Sequence, residues 1–261
     1  MTERIARFEH DGREGYGALS GDDTLDLLED PGYDGPRRTG EQVALADVCL
    51  LAPVADPRLI GVGLNYAEHA AESGLPAPDQ PMLFHLPTTA VCSPGDDIVY
   101  PRQGSVVHYE GELAVVIGTP ARRVSAERAL DHVFGYTIGN DVSERVIQKA
   151  EMANGCLLIS KGFDTFKPLG PWIATGLDPS DLQLTTRLNG RVVQSTSTAD
   201  LIFTVGELIE YISAAVTLLP GDVIMTGTPS GVGEVQPGDV VEIEIEGIGV
   251  LRNPVAAEET A

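Results

Sequence analysis

The apolar segments of this chain are short and do not alternate with helical ones, which rules out a doubly wound parallel sheet from the outset. Its 29 glycines and 18 prolines cut the sequence into turn-bounded pieces, the punctuation of a strand-rich body. LIGVGLNY (59–66), ELAVVIG (112–118) and FGYTIGND (134–141) are continuous apolar runs that read as buried strands. VVEIEIEGIGVL alternates strictly, Val241, Ile243 and Ile245 facing in and Glu242, Glu244 and Glu246 facing out, as an antiparallel strand with one wet face does. The Asn189-Gly190 pair between apolar runs predicts a tight hairpin. Helices are few. EHAAESG (68–74) and SAERALDHV behind Ser125 are short, Asp141-x-x-Glu144 reads as the capping box of VSERVIQK, and Thr204-x-x-Glu207 opens a helix with apolar residues at 208, 209, 212, 216 and 219. The expected fold is therefore α+β, a mixed β-sandwich roll. Residues 1–53, with DG and GDD turns between two hairpin-like strand pairs, form a small N-terminal domain, and residues 54–261 form the main body.

Charge narrows the partners. Lys+Arg 17 against Asp+Glu 39 give a net charge of −22, a field that repels nucleic-acid phosphates and anionic membranes. No run approaches the roughly 18 apolar residues of a membrane span. Three cysteines without CxxC spacing point to a reduced, cytoplasmic protein with no finger-type zinc site. The lysines are only Lys149, Lys161 and Lys167, against fourteen arginines, a bias that reads as base composition or salt adaptation. Neither the dinucleotide fingerprint, the P-loop nor a nucleophile elbow is present.

Three places carry residues suited to chemistry. Glu110 and Glu112 are spaced i, i+2 at the entry to an apolar strand, so their carboxylates project to one face. Buried acids without a lysine or arginine nearby in sequence call for a hard cation with oxygen ligands, Mg²⁺ or Mn²⁺, and Asp141 is a third candidate ligand. His69 and Glu72, at i, i+3 on a short helix, have the spacing of a base and its orienting acid. Lys161, in an aromatic-rich loop, suits a cationic anchor for a carboxylate or a developing enolate. Arg145 and Gln148 share one helix face.

GLNYAEHAAESG, HYEGELAVVIG, GYTIGNDVSERVIQ, SKGFDTFKPLGPW and LLPGDVIMTGTPSGVG, in that order over about residues 56 to 254, together resemble the fumarylacetoacetate hydrolase family, in its acylpyruvase and 2-hydroxyhepta-2,4-diene-1,7-dioate isomerase-like branch. The resemblance implies a homodimer with one Mg²⁺ or Mn²⁺ per subunit on Glu110, Glu112 and Asp141. It also implies a water-activating dyad of His69 and Glu72, and substrate contacts from Lys161, Arg145, Gln148, Thr226 and Thr228. The expected substrate is a small 2-oxo acid and the expected reaction hydrolysis of a C–C bond in an acylpyruvate-like 2,4-dioxo acid. Oxaloacetate-type decarboxylation and dienedioate enol–keto isomerisation are the alternatives within the family. A catalytically silent binding protein is a further alternative, against which the presence of both His69 and Glu72 counts. One departure stands out: where the family usually reads Phe-x-Lys-Pro, this chain has Phe84-His85-Leu86-Pro87. An apolar Leu86 there implies either a less cationic pocket and a substrate with an uncharged far end, or a leucine that packs in place of a lysine whose role in the family is a structural ion pair.

Overall fold

The strand Gly111–Ile117 shows no alternation because both of its faces are covered. Leu113, Val115 and Ile117 enter one apolar cluster, while Ala114 and Val116 enter another on the opposite face. The computed structural model describes residues 2–259, and this strand lies near the middle of a twelve-stranded sheet. Val133–Asn140 pairs antiparallel on one side of it and Val223–Met225 on the other. Beyond these the sheet continues through Lys167–Ala174 in one direction and through Leu59–Gly63 and Met82–Leu86 in the other. The pairing of Val223–Met225 with Leu59–Gly63 is parallel, so the sheet is mixed.

A five-stranded sheet packs over the first cluster. It contributes Leu184, Val241, Ile243, Ile245, Leu251 and Val255, and the helix Val205–Ala215 adds Val205, Leu208, Ile209 and Ile212. Two facing sheets with few helices make the strand-rich α+β sandwich roll that the sequence implied. The hairpin falls where expected: Leu188 pairs with Arg191, and Asn189 and Gly190 both take positive φ, 52° and 79°. So does the capping box, in which the Glu207 carboxylate accepts the Thr204 N–H at 2.8 Å and Thr204 Oγ1 accepts the Glu207 N–H at 3.3 Å.

Three expectations need correction. The helix that begins at Val205 stops at Ala215 rather than running through 219, leaving Val216 and Leu219 exposed. Asp141 is not the cap of the helix Arg145–Ala153; Glu144 is, its carboxylate accepting from Ile147 N, which leaves Asp141 free to turn into the interior. The first 53 residues hold not two separate hairpins but a meander, Arg4–His10, Arg13–Ser20, Thr24–Leu28 and Arg38–Ala44, and Arg4–His10 pairs on with Lys167–Ala174, so this meander extends the main sheet. Among the described residues no helix is long and apolar enough to cross a membrane.

Candidate functional site

Antiparallel register assembles the acids. Gly111 lies opposite Asn140, so the residues just outside this pair, Glu110 and Asp141, stand side by side, tied by the Asp141 N–H to the Glu110 carbonyl at 2.9 Å. At Glu110 the chain passes from the short strand Val107–Tyr109 into Gly111–Ile117, and the Asn140 side chain accepts the Glu110 N–H at 2.9 Å. Glu112 follows on the same face, and one carboxylate oxygen from each of Glu110, Glu112 and Asp141 lies within 4.8 Å of the other two. All three are almost fully buried. They form the floor of a cavity of about 640 Å³ that His69, Glu72, Arg145, Gln148, Lys161 and Thr228 also line. Apolar side chains, Phe84, Met82, Met152 and Leu157 among them, close its other wall.

The premise that these acids lack cationic neighbours fails in space. Lys161 Nζ is 2.9 Å from Glu110 and 2.6 Å from Asp141, Arg145 Nη2 is 2.6 Å from Glu110, and Lys167 Nζ is 2.8 Å from Asp141. Burial opposes ionisation of Glu110, yet Lys161, Arg145 and His69 outweigh it and hold its carboxyl well below the ordinary range. Glu112 behaves oppositely. Burial, and then repulsion from Asp141 and Glu110, push it well above the ordinary range. Among the described residues its carboxylate accepts the Gly227 N–H at 2.9 Å and pairs with no lysine or arginine. Asp141 Oδ1, equally buried, faces the Lys167 ammonium. A divalent cation fits this donor set: it would meet Glu112, the one acid of the three that pairs with no lysine or arginine among the described residues.

The neighbouring segments are fastened to the triad by backbone contacts. Asn65, fully buried, donates to the carbonyls of Phe203 and Thr226 and accepts from Phe203 N, which joins the segment before the His69 helix to the TGTP turn. Gly227 has φ +100°, and a Cβ there would stand 2.8 Å from that of Asn65, so only glycine brings its N–H to Glu112. His69 and Glu72 sit on the helix Ala67–Glu72 with Nδ1 3.5 Å from the carboxylate, and Glu72 also accepts the Gly231 N–H at 3.2 Å. Arg145 Nη1 donates to Gln148 at 2.8 Å, so the pair faces the cavity as a unit rather than decorating the helix surface.

Thr226 is placed otherwise than expected, and Leu86 takes the packing alternative. Thr226 is fully buried and its hydroxyl donates to the Leu113 carbonyl at 2.9 Å, so it is a strap beneath the cavity; of the two threonines, Thr228 lines it. Leu86 pairs with Leu59, two positions deeper in the sheet than Phe84, and is fully buried beside Ala52, Val54 and Leu169. It touches apolar core, and its identity carries no message about substrate charge. Leu86→Ala should therefore cost roughly 2–5 kcal/mol of stability, measured by denaturant unfolding, and leave the ratio of kcat/KM for monocarboxylate and dicarboxylate substrates unchanged.

Glu151 and Lys167 escaped the sequence reading. The Glu151 carboxylate accepts from the backbone N–H of Leu158 at 3.2 Å, Ile159 at 2.7 Å and Ser160 at 3.0 Å, and so fixes the turn that delivers Lys161. Nothing in its surrounding helical sequence announces that. Lys167 did leave a signal: with Lys149 at the cavity rim and Lys161 on Asp141, every lysine of this arginine-rich chain stands at the site.

With the fold and the acid-floored cavity in view, relatives can be compared. Residues 58–256 match the family description Fumarylacetoacetate (FAA) hydrolase C-terminal, and residues 3–53 match Rv2993c-like, N-terminal. The chain belongs to the fumarylacetoacetate hydrolase family. A solved 5-carboxymethyl-2-hydroxymuconate delta-isomerase from Mycobacterium smegmatis superposes with a TM-score of 0.91 at 45% identity, covering 98% of this chain and 100% of that one. Maleylpyruvate hydrolase from Sphingobium sp. SYK-6, solved with manganese(II) and pyruvate, gives 0.81 at 31% identity with the same coverage. The mitochondrial oxaloacetate tautomerase FAHD2A of Bos taurus is 42% identical over 80% of this chain and 70% of its own.

Proposed function

We propose that this chain is a homodimeric, divalent-metal-dependent hydrolase that cleaves a C–C bond in acylpyruvate-like 2,4-dioxo acids. In this reading residues 54–261 carry the reaction and residues 1–53 form a small N-terminal domain. The observation that carries it is the sharing of one cavity by the buried triad Glu110, Glu112 and Asp141 and by the His69–Glu72 pair. The likeness to a maleylpyruvate hydrolase solved with manganese(II) and pyruvate supports it.

One Mg²⁺ or Mn²⁺, held by the three acids, would supply the positive charge that a 2-oxo-carboxylate and its enolate need. The rest falls to the protein. Glu72 accepts a hydrogen bond from the His69 Nδ1–H, 3.5 Å away, which leaves the basic Nε2 for water. His69 takes a proton from water, the hydroxide adds to the C4 carbonyl, and the C3–C4 bond breaks with its electron pair passing to C3. A proton returned to C3 completes pyruvate beside the released acid. Lys161 and the Arg145–Gln148 pair hold the anionic end of the substrate. Enol–keto isomerisation or decarboxylation would use the same residues without the water, and the isomerase and tautomerase relatives favour that as the second reading.

A spectrophotometric screen separates them. With Mg²⁺ added, acylpyruvates should lose their enol absorbance and yield pyruvate together with the acyl acid. Enol loss without pyruvate, or activity confined to oxaloacetate and dienedioates, would move the assignment to the second reading.

A further inference from the structure

Lys167 is fully buried and shares its ammonium between two backbone carbonyls and one acid of the triad. Nζ donates to the carbonyls of Val142 at 2.8 Å and Phe166 at 2.9 Å. It also stands 2.8 Å from Asp141 Oδ1, while Lys161 Nζ holds the other oxygen of that carboxylate at 2.6 Å. Asp141 thus lies between two ammonium groups. Lys161 and Arg145 complete a set of three cations, which match the charge of the three carboxylates once all of these are ionised. A compact ammonium fits between two backbone carbonyls where a planar guanidinium would not, which accounts for a lysine surviving here among fourteen arginines.

We infer that Lys167 is a built-in counter-charge of the acid triad, which weakens the hold on a lone divalent cation and couples its uptake to that of the anionic substrate. The inference rests on the metal-dependent reading above. With all three acids ionised and a dication in place, the centre carries two positive charges in a low-dielectric pocket, which a substrate carrying negative charge neutralises; at this depth such charges are poorly screened. Without Lys167 the loaded centre would carry one positive charge fewer and would hold the cation more tightly by itself. The acids supply the ligand atoms and Lys167 sets the order in which they are used.

The test is Mn²⁺ binding to the full chain, by calorimetry and by the electron paramagnetic resonance of free Mn²⁺, with and without oxalate as a dianion of 2-oxo-acid shape. Lys167→Gln keeps donors for the Val142 and Phe166 carbonyls while removing the charge. In wild type, oxalate should tighten Mn²⁺ binding. The variant should bind Mn²⁺ alone at least about tenfold more tightly, close to 1.4 kcal/mol, and gain less from oxalate. A residue that only propped the fold would weaken the site when replaced, so the direction of change decides. Unchanged or weaker Mn²⁺ binding by folded Lys167→Gln overturns the inference while leaving the metal-dependent reading intact. Should the variant not fold, a wild-type Mn²⁺ affinity that ignores oxalate overturns it equally. Absence of Mn²⁺ binding in both proteins would take down the metal-dependent reading and this inference together.

Discussion

Glu112→Gln should abolish divalent-metal binding and Mg²⁺-dependent turnover while making the metal-free protein more stable at neutral pH. The two effects have one cause. Burial, with Asp141 and Glu110 close by, raises the Glu112 pKa well above its unfolded value, so the folded state holds a proton that the unfolded chain gives up. For a carboxyl shifted in that direction the penalty is absent below the unfolded pKa and grows as pH rises toward the folded one. Glutamine removes the penalty, so metal-free Glu112→Gln should melt higher than wild type near pH 7 and level with it at acid pH. Added Mg²⁺ reverses the order. A ligand at 100 times its Kd stabilises the native state by about 2.7 kcal/mol, roughly 5–10 °C in Tm for a chain of this size. Wild type should show that shift and the variant should not. Because the proton on Glu112 must leave before a cation can bind, wild-type Mg²⁺ affinity should also fall with pH. Melts in chelator and in Mg²⁺ across a pH series measure all of this. A Mg²⁺-induced shift of wild-type size in the glutamine variant would remove Glu112 from the ligand set, and full wild-type activity in excess chelator would remove the metal.

What could be read from the sequence was what local physics decides. The apolar run Glu112–Gly118, the strict alternation from Val241 to Glu246, the Asn189-Gly190 turn and the Thr204 capping box each depend on neighbours a few residues away, and each stands in the fold where it was expected. Asp141-x-x-Glu144 satisfies the capping pattern, but Glu144 starts the helix in its place, because its carboxylate also accepts from the backbone of Ser105 at 3.0 Å and Val106 at 3.1 Å, a segment that no local pattern can see. The cations around the triad were invisible for the same reason. Lys161, Lys167 and Arg145 come from separate elements, and only the pairing of Val133–Asn140 with both Gly111–Ile117 and Lys167–Ala174 brings the third acid to them. For Leu86 the sequence leaves packing and a role in the pocket both open, because that choice depends on depth in the sheet, and its pairing with Leu59 inside an apolar cluster decides for packing.

His69→Ala should divide the reactions open to this site. In hydrolysis the imidazole must remove a proton from water as hydroxide adds to the acyl carbonyl, and loss of a general base costs typically 10²–10⁴-fold in kcat. His69 suits that work. It is buried at the cavity wall, its Nδ1 is turned toward Glu72, and Glu72 is itself fixed by the N–H of Gly231, so the imidazole has little freedom to turn away. Decarboxylation needs no activated water, and its barrier falls when electron density is drawn toward the 2-oxo acid end, which the proposed reading places at Lys161 and Arg145. The same substitution should therefore leave oxaloacetate decarboxylation within a few-fold of wild type while acylpyruvate cleavage collapses. Enol–keto transfer falls between, since it needs a proton carrier but no water. Measuring kcat for the three reactions in wild type, His69→Ala and Glu72→Gln gives the pattern. Glu72→Gln should lower only the hydrolytic rate, and by less than His69→Ala, because it misorients the base without removing it. Equal losses in all three reactions would mean that the His69 helix supports the cavity wall and takes no part in activating water. A hydrolytic rate untouched by His69→Ala would place the base elsewhere, and His108, whose ring also faces this cavity, would be the next residue to replace.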